Sequence, residues 1–144
     1  MEITVDTNVL VAAIEEADPD ALEFVHSYMR RNVIVLDHER DIDQEYRGQF
    51  RNNGHSQKCF WKWWKVVSNK ADRYVRYTSK PCAEDKEEFE RVRFDGNDWK
   101  FAAVCVRSAD KVLVSEDTDY DCVRDYLAEK RQVTIKRVNE ILTG

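Results

Sequence analysis

Asp6 interrupts the stretch EITVDTNVLV where the chain should be running into the interior. Ile3 and Val5 before it read as a short buried strand, and Val9 to Ala13 after it as the start of an apolar helix. A second acid, Asp98, falls in the first turn of a helix whose Phe101, Ala102 and Cys105 follow at i+3, i+4 and i+7. Those offsets share one face, so the carboxylate lines up with a buried stripe. An acid near a helix N-terminus is favoured by about 0.3–1 kcal/mol, which accounts for the first turn but not for the inward face. A third group of acids, within SEDTDY (115–120), follows the strand-like KVLV (111–114). Carboxylates in such places can hold cations, or one of them can act as a nucleophile in phosphoryl transfer.

These acids can cooperate only if the chain's elements bring them together. EITV reads as a strand and leads into a helix from about Asn8 to Glu16. A second helix follows ADPD, with Pro19 early and Leu22, Val25 and Met29 at helical spacing. VIVL (33–36) is a β-branched strand, and residues 38–50 form a helix with Ile42, Tyr46 and Phe50 at steps of four. The next helix, 56–71, carries Phe60, Trp64, Val67 and Ala71 on one stripe. A short charged helix lies within 79–92, and a further helix over 95–109 is capped by Asp95 or Asn97. KVLV is a strand, 119–131 a helix, and VTI (133–135) a final strand. About four short strands alternating with helices predict a single α/β domain over residues 1–144. Its form is a three-layer α/β/α sandwich around a short parallel sheet. In such sheets sites form beyond the carboxyl ends of the strands, where the strand order reverses, and Asp6 and the 115–120 loop both follow strands. Glu45 sits beside the 42/46/50 stripe with Glu39, Asp41 and Asp43 as competitors, and periodicity does not choose among them.

Four segments taken in order resemble the signature segments of PIN-domain ribonucleases: VDTNVLV, the EY of a helix after a VIVL-type strand, NDWKFAAVC and LVSEDTDY. The likeness spans almost the whole chain. It implies that Asp6, Glu45, Asp98 and Asp117 meet at one pocket, with Asp119 as a fifth acid or a substitute. Glu116 is an extra acid beside the expected one, so the ligand from this loop stays open. Asn8 and Ser115 are implied to support the ligating acids. The resemblance further implies Mg²⁺ or Mn²⁺, as one or two ions, and an RNA substrate cut internally to 5′-phosphate and 3′-hydroxyl ends. It also implies a toxin-like role under a small antitoxin or other regulatory partner, with homodimers common in the family. The chemistry agrees. Two carboxylates about 4 Å apart repel by roughly 4 kcal/mol at an effective dielectric of 20, so four in one pocket need protons or cations. Oxygen-only ligands select hard cations. Two ions about 3.5–4 Å apart can activate a water and steady the attacking and leaving oxygens of an in-line displacement at phosphorus. A metal partner makes Asp6 tolerable where it stands.

The net charge of −5 is unevenly spread. Residues 47–80 hold nine basic side chains against Asp72 alone, a local charge of +8 that leaves −13 on the rest. An acidic body with a basic middle fits one face handling phosphates, although soluble helix surfaces also carry lysines. Within that run, Trp64 belongs to the helix stripe and Trp63 lies close to it, which marks both as core. Trp61 falls on the other side and, with Arg47, Arg51, Lys58 and Lys62, is the candidate RNA contact. His26, His38 and His55 have no ligand spacing. Cys105 and Cys122 read as core residues, and four widely spaced cysteines fit reduced thiols in the cytoplasm. The first 15 residues lack a basic start and contain Glu2, Asp6 and Glu15, so no secretory signal is expected. No apolar run approaches the 18 or so residues of a membrane helix. Two rival readings remain. In one, Asp6 is the nucleophile of a phosphotransferase; Asn8, where one such family has a second acid, counts against it. In the other, a PIN-like scaffold binds RNA or a protein without cutting.

Overall fold

The strands are runs of three to five residues dominated by Val, Ile, Leu and Tyr. The computed structural model describes residues 1–52 and 54–144. Five strands, β1 (Glu2–Val5), β2 (Val33–Asp37), β3 (Tyr74–Tyr77), β4 (Val112–Val114) and β5 (Thr134–Lys136), form one sheet in the order β3-β2-β1-β4-β5. Every pairing is parallel. The order reverses at β1, whose Ile3 pairs with Ile34 on one side and Val112 on the other. Ile3 and Val5 are fully buried at this centre.

Eight α-helices flank the sheet among the described residues. They are α1 (Thr7–Ile14), α2 (Pro19–Glu23), α3 (Asp41–Gln49), α4 (Gly54–Ser68), α5 (Ala83–Arg91), α6 (Trp99–Arg107), α7 (Asp121–Arg131) and α8 (Val138–Thr143). None is long and apolar enough to cross a membrane. α2 starts at Pro19, capped by the Asp18 carboxylate on Ala21 N–H at 3.0 Å. It runs on through a π turn (Phe24–Tyr28) and a 3-10 turn (Met29–Arg31), which keep Phe24, Val25 and Met29 inside.

The α/β sandwich is the one expected, with five strands in place of about four. The extra edge strand β3 reads YVRY: a central arginine at the end of a basic run hides its strand character. α8 was not expected either. α4 ends at Ser68, so Ala71 is exposed instead of closing the stripe. Cys122 is also exposed, on the outer face of α7, while Cys105 is fully buried as expected.

Two devices fix α3. The Asp37 carboxylate at the end of β2 accepts from the N–H groups of Asp41 (2.8 Å) and Ile42 (3.0 Å) in its first turn. Arg76 of β3 grips buried Asp43 with two parallel hydrogen bonds of 2.9 and 3.0 Å. Tyr46 then enters the core against Trp63, Trp64 and Phe101 and donates its hydroxyl to the Val5 carbonyl. Trp63 donates to the Val25 carbonyl at 3.0 Å, so Trp63 and Trp64 are core residues, as expected.

Candidate metal centre

Asp6 lies one residue past β1. Its N–H still reaches the Val114 carbonyl (3.0 Å), so the β1–β4 ladder sets its position. Its Oδ2 accepts from Ser115 Oγ at 2.8 Å and from Asn8 Nδ2 at 3.3 Å. Asn8 also donates to Ser115 Oγ (3.3 Å) and accepts from Glu116 N–H (3.1 Å), while Ser115 Oγ accepts from Asp117 N–H (3.0 Å). A strand end, the first turn of α1 and the loop after β4 are thereby laced together around one carboxylate. Burial pushes the Asp6 carboxyl up to about 6; the Ser115 bond opposes this, and the charges of Glu45 and Asp117 add to it.

Asp98 closes a 3-10 turn (Gly96–Asp98) that leads into α6, and Asp95 caps that turn by accepting from Asn97 N–H at 3.0 Å. Half-burial pushes the Asp98 carboxyl to about 7, with the charges of Asp6, Asp95, Asp119 and Asp117 contributing. Asp119 is exposed, and its carboxyl is raised chiefly by the charge of Asp117. Asp95, Asp98 and Asp119 each present a carboxylate oxygen, and the three oxygens lie within 4.8 Å of one another. Donors on opposite sides of an octahedral Mg²⁺ are about 4.2 Å apart, so three oxygens spread over up to 4.8 Å could close on one hard cation with a small side-chain shift. Asp6 stands outside this trio, more deeply buried, and its charge acts on Asp98. Deeper still, the fully buried Tyr120 hydroxyl lies beside Asp6 and Asp98 without a well-formed hydrogen bond.

The structure also shows how the acids of α3 and of the turn before it are disposed. Glu39 accepts from Thr78 Oγ1 (2.6 Å) and Ser79 N–H (2.7 Å), bonds that outweigh its desolvation and hold it down at about 2. Asp43 belongs to Arg76, and Asp41 is exposed at the helix start. Of these four acids Glu45 alone reaches toward Asp6: one oxygen accepts from Thr7 Oγ1 and the other lies 2.7 Å from Lys100 Nζ. Glu116 turns away from Asp6, accepting from Val138 N–H (2.9 Å) at the start of α8 and pairing with Arg137 (3.7 Å).

Asp6, Asp98, Asp117 and Asp119 are thus close enough for their charges to act on one another, with Glu45 at the rim. Asn8 and Ser115 both touch Asp6. Two residues escaped the sequence reading. Asp95 registers only as a helix cap, although its spacing of three from Asp98 was the available signal. Lys100 looks like an ordinary helix-surface charge. Arg47, Arg51, Lys58, Trp61 and Lys62 are all exposed on α3, α4 and their connection, and Arg47 lies over the Trp61 ring (5.5 Å). A cavity of about 580 Å³ opens on another side, sharing Asn8 and Asp117 with the acid group and lined also by Glu16, Asp18 and Asp20.

No protein-family model matches the sequence, and no curated protein is similar to it. Among solved structures, the chain is similar to one in the crystal structure of VapBC2 from Rickettsia felis bound to a DNA fragment from their promoter. The superposition has a TM-score of 0.55 and covers 95% of this chain and 98% of that one at 12% identity. At that identity the likeness is one of fold, and the fold is the PIN-like one that the four signature segments imply.

Proposed function

We propose that this protein is a divalent-ion-dependent endoribonuclease that hydrolyses RNA phosphodiester bonds to 5′-phosphate and 3′-hydroxyl ends. The observation that carries the reading is the convergence on Asp98 of carboxylates from separate segments, with Asp6 and Asp98 both held well above the ordinary carboxylate range. Such a group is costly without a cation and receptive to one. Asp6, Asp98, Asp119 and Asp95 would hold Mg²⁺ or Mn²⁺, with Asp117 behind Asp119 and Glu45 at the rim. When bound, the ion supplies a water acidic enough to attack phosphorus and neutralises charge on the phosphate. Asn8 and Ser115 fix the orientation of Asp6, and its burial beside Tyr120 limits water around it.

The acid-lined cavity repels phosphates, so the RNA strand is assigned to the basic side of α3 and α4, with Trp61 as a stacking platform. Replacing Trp61 and Lys62 together by Ala should weaken single-stranded RNA binding about tenfold and lower its salt slope by about one; unchanged binding in a salt titration removes this track. The fold neighbour is part of an assembly, VapBC2, and the family resemblance implies control by an antitoxin. We extend both to this chain, with a homodimer and a cytoplasmic setting.

The reading is tested by incubating the protein with a mixed RNA pool in Mn²⁺ or in EDTA. Internal cleavage should occur with Mn²⁺, vanish in EDTA and be absent in Asp6→Asn folded by circular dichroism. Wild-type cleavage by that variant would sink the assignment. A non-catalytic scaffold is the second reading. It is favoured by one observation, that both oxygens of Glu45 are already engaged; metal-dependent turnover in the assay above would decide against it.

A further inference from the structure

Lys100 is only 14% exposed in its side chain, and its ammonium sits 2.7 Å from Glu45 Oε1. It also donates to the Asn97 carbonyl and lies 5.2 Å from the centre of the Phe101 ring. The other Glu45 oxygen is taken by Thr7. A carboxylate at the rim of the acid group, close enough for its charge to raise Asp6, is therefore matched by a cation tethered to the chain. A second metal ion about 3.5–4 Å from the first would need a carboxylate of its own, and on this side of Asp6 that carboxylate already holds an ammonium.

We propose that Lys100 takes the place of a second metal ion. It neutralises Glu45 and limits the acid group to one divalent cation, held around Asp98, Asp95 and Asp119 with Asp6 facing it. An ammonium has three donors; Glu45 and the Asn97 carbonyl use two, and the third is directed to a non-bridging phosphate oxygen of bound RNA. The inference rests on the reading of the acids as a metal centre.

Counting ions tests it without reference to activity. Mn²⁺ is titrated into metal-free protein, with free Mn²⁺ followed by electron paramagnetic resonance. Wild type and Lys100→Arg should bind one ion per chain. Lys100→Met and Lys100→Gln, each checked for folding by circular dichroism, should bind two. The second ion should be lost again when Glu45→Gln is added. Two ions on wild type, or one ion on folded Lys100→Met and Lys100→Gln, would overturn the role of Lys100 and leave the metal centre standing. No ion on any of the proteins would remove both.

Discussion

Asp98→Asn is expected to lower RNA cleavage at saturating Mn²⁺ by about 10³-fold while making the metal-free protein more stable at pH 7.5. The loss follows from removing a charged oxygen at the point where the acids converge, a type of change that costs about 10²–10³ even for one neutral donor. The gain follows from the raised carboxyls. Asp98 is lifted from 3.8 to about 7, by burial first and then by Asp6, Asp95, Asp119 and Asp117; burial lifts Asp6 to about 6. Between about pH 4 and 7 the native state therefore binds more protons than the unfolded chain, and stability falls as pH rises through that window. The penalty is complete above about pH 7 and absent below about pH 4. One pKa unit corresponds to about 1.4 kcal/mol, and screening of the half-exposed Asp98 leaves about 1–2 kcal/mol to be recovered by the neutral amide.

Other groups do not mask this. His26 is lowered from 6.5, by burial first and then by Arg30, so it adds stability as pH rises and opposes the acids weakly from the surface. Glu39 and Asp85 are held below their ordinary values, and their contributions are lost only as pH falls below about 4.5 and 3.8. Melting in EDTA should therefore occur at a higher temperature at pH 5 than at pH 7.5 for wild type, with a flatter dependence for Asp98→Asn. Mn²⁺ should raise the wild-type melting temperature at pH 7.5 far more than that of the variant. A variant that melts below wild type in EDTA at pH 7.5 would show that these carboxylates are not under strain.

Arg76→Met should destabilise the protein by about 3 kcal/mol or more in urea unfolding. Asp43 is 1% exposed and receives both arms of the Arg76 guanidinium, which also donates to the Asp37 carbonyl at 2.8 Å. The Asp43 bond is the main reason the guanidinium is held above its ordinary range. Removing the arginine strands a buried carboxylate, typically a loss of about 3–5 kcal/mol, whereas replacing both partners by apolar groups is often neutral. Arg40, 61% exposed and 3.9 Å from Asp43, offers little compensation. Arg76→Met with Asp43→Leu should thus recover most of the loss. A cost below about 1 kcal/mol for the single change would mean that this pair does not anchor α3, the helix that presents Glu45.

What was legible along the chain was local. The β-branched runs 2–5, 33–36 and 111–114 marked their strands, and the 3.6-residue stripes marked α3, α4 and α6. The charge of Asp6 and Asp98 against apolar neighbours showed that something other than packing held them. Glu45 was separable from Glu39, Asp41 and Asp43 only by family resemblance, because four acids on one turn-rich segment look alike until their partners are known. β3 stayed hidden for the same reason: Arg76 belongs inside because Asp43, on α3, meets it there. Lys100 looked solvated because its partner Glu45 is on another helix. The residue types and their spacing determined most of the elements and marked Asp6 and Asp98 as acids set against apolar neighbours. The sheet order, which sets the ends of β1 and β4 side by side and packs α3 near α6, decided which acids share a counter-charge. Coulomb attraction depends on separation in space, and at 92 residues along the chain the distance between Asp6 and Asp98 is set by the strands they follow and pack against.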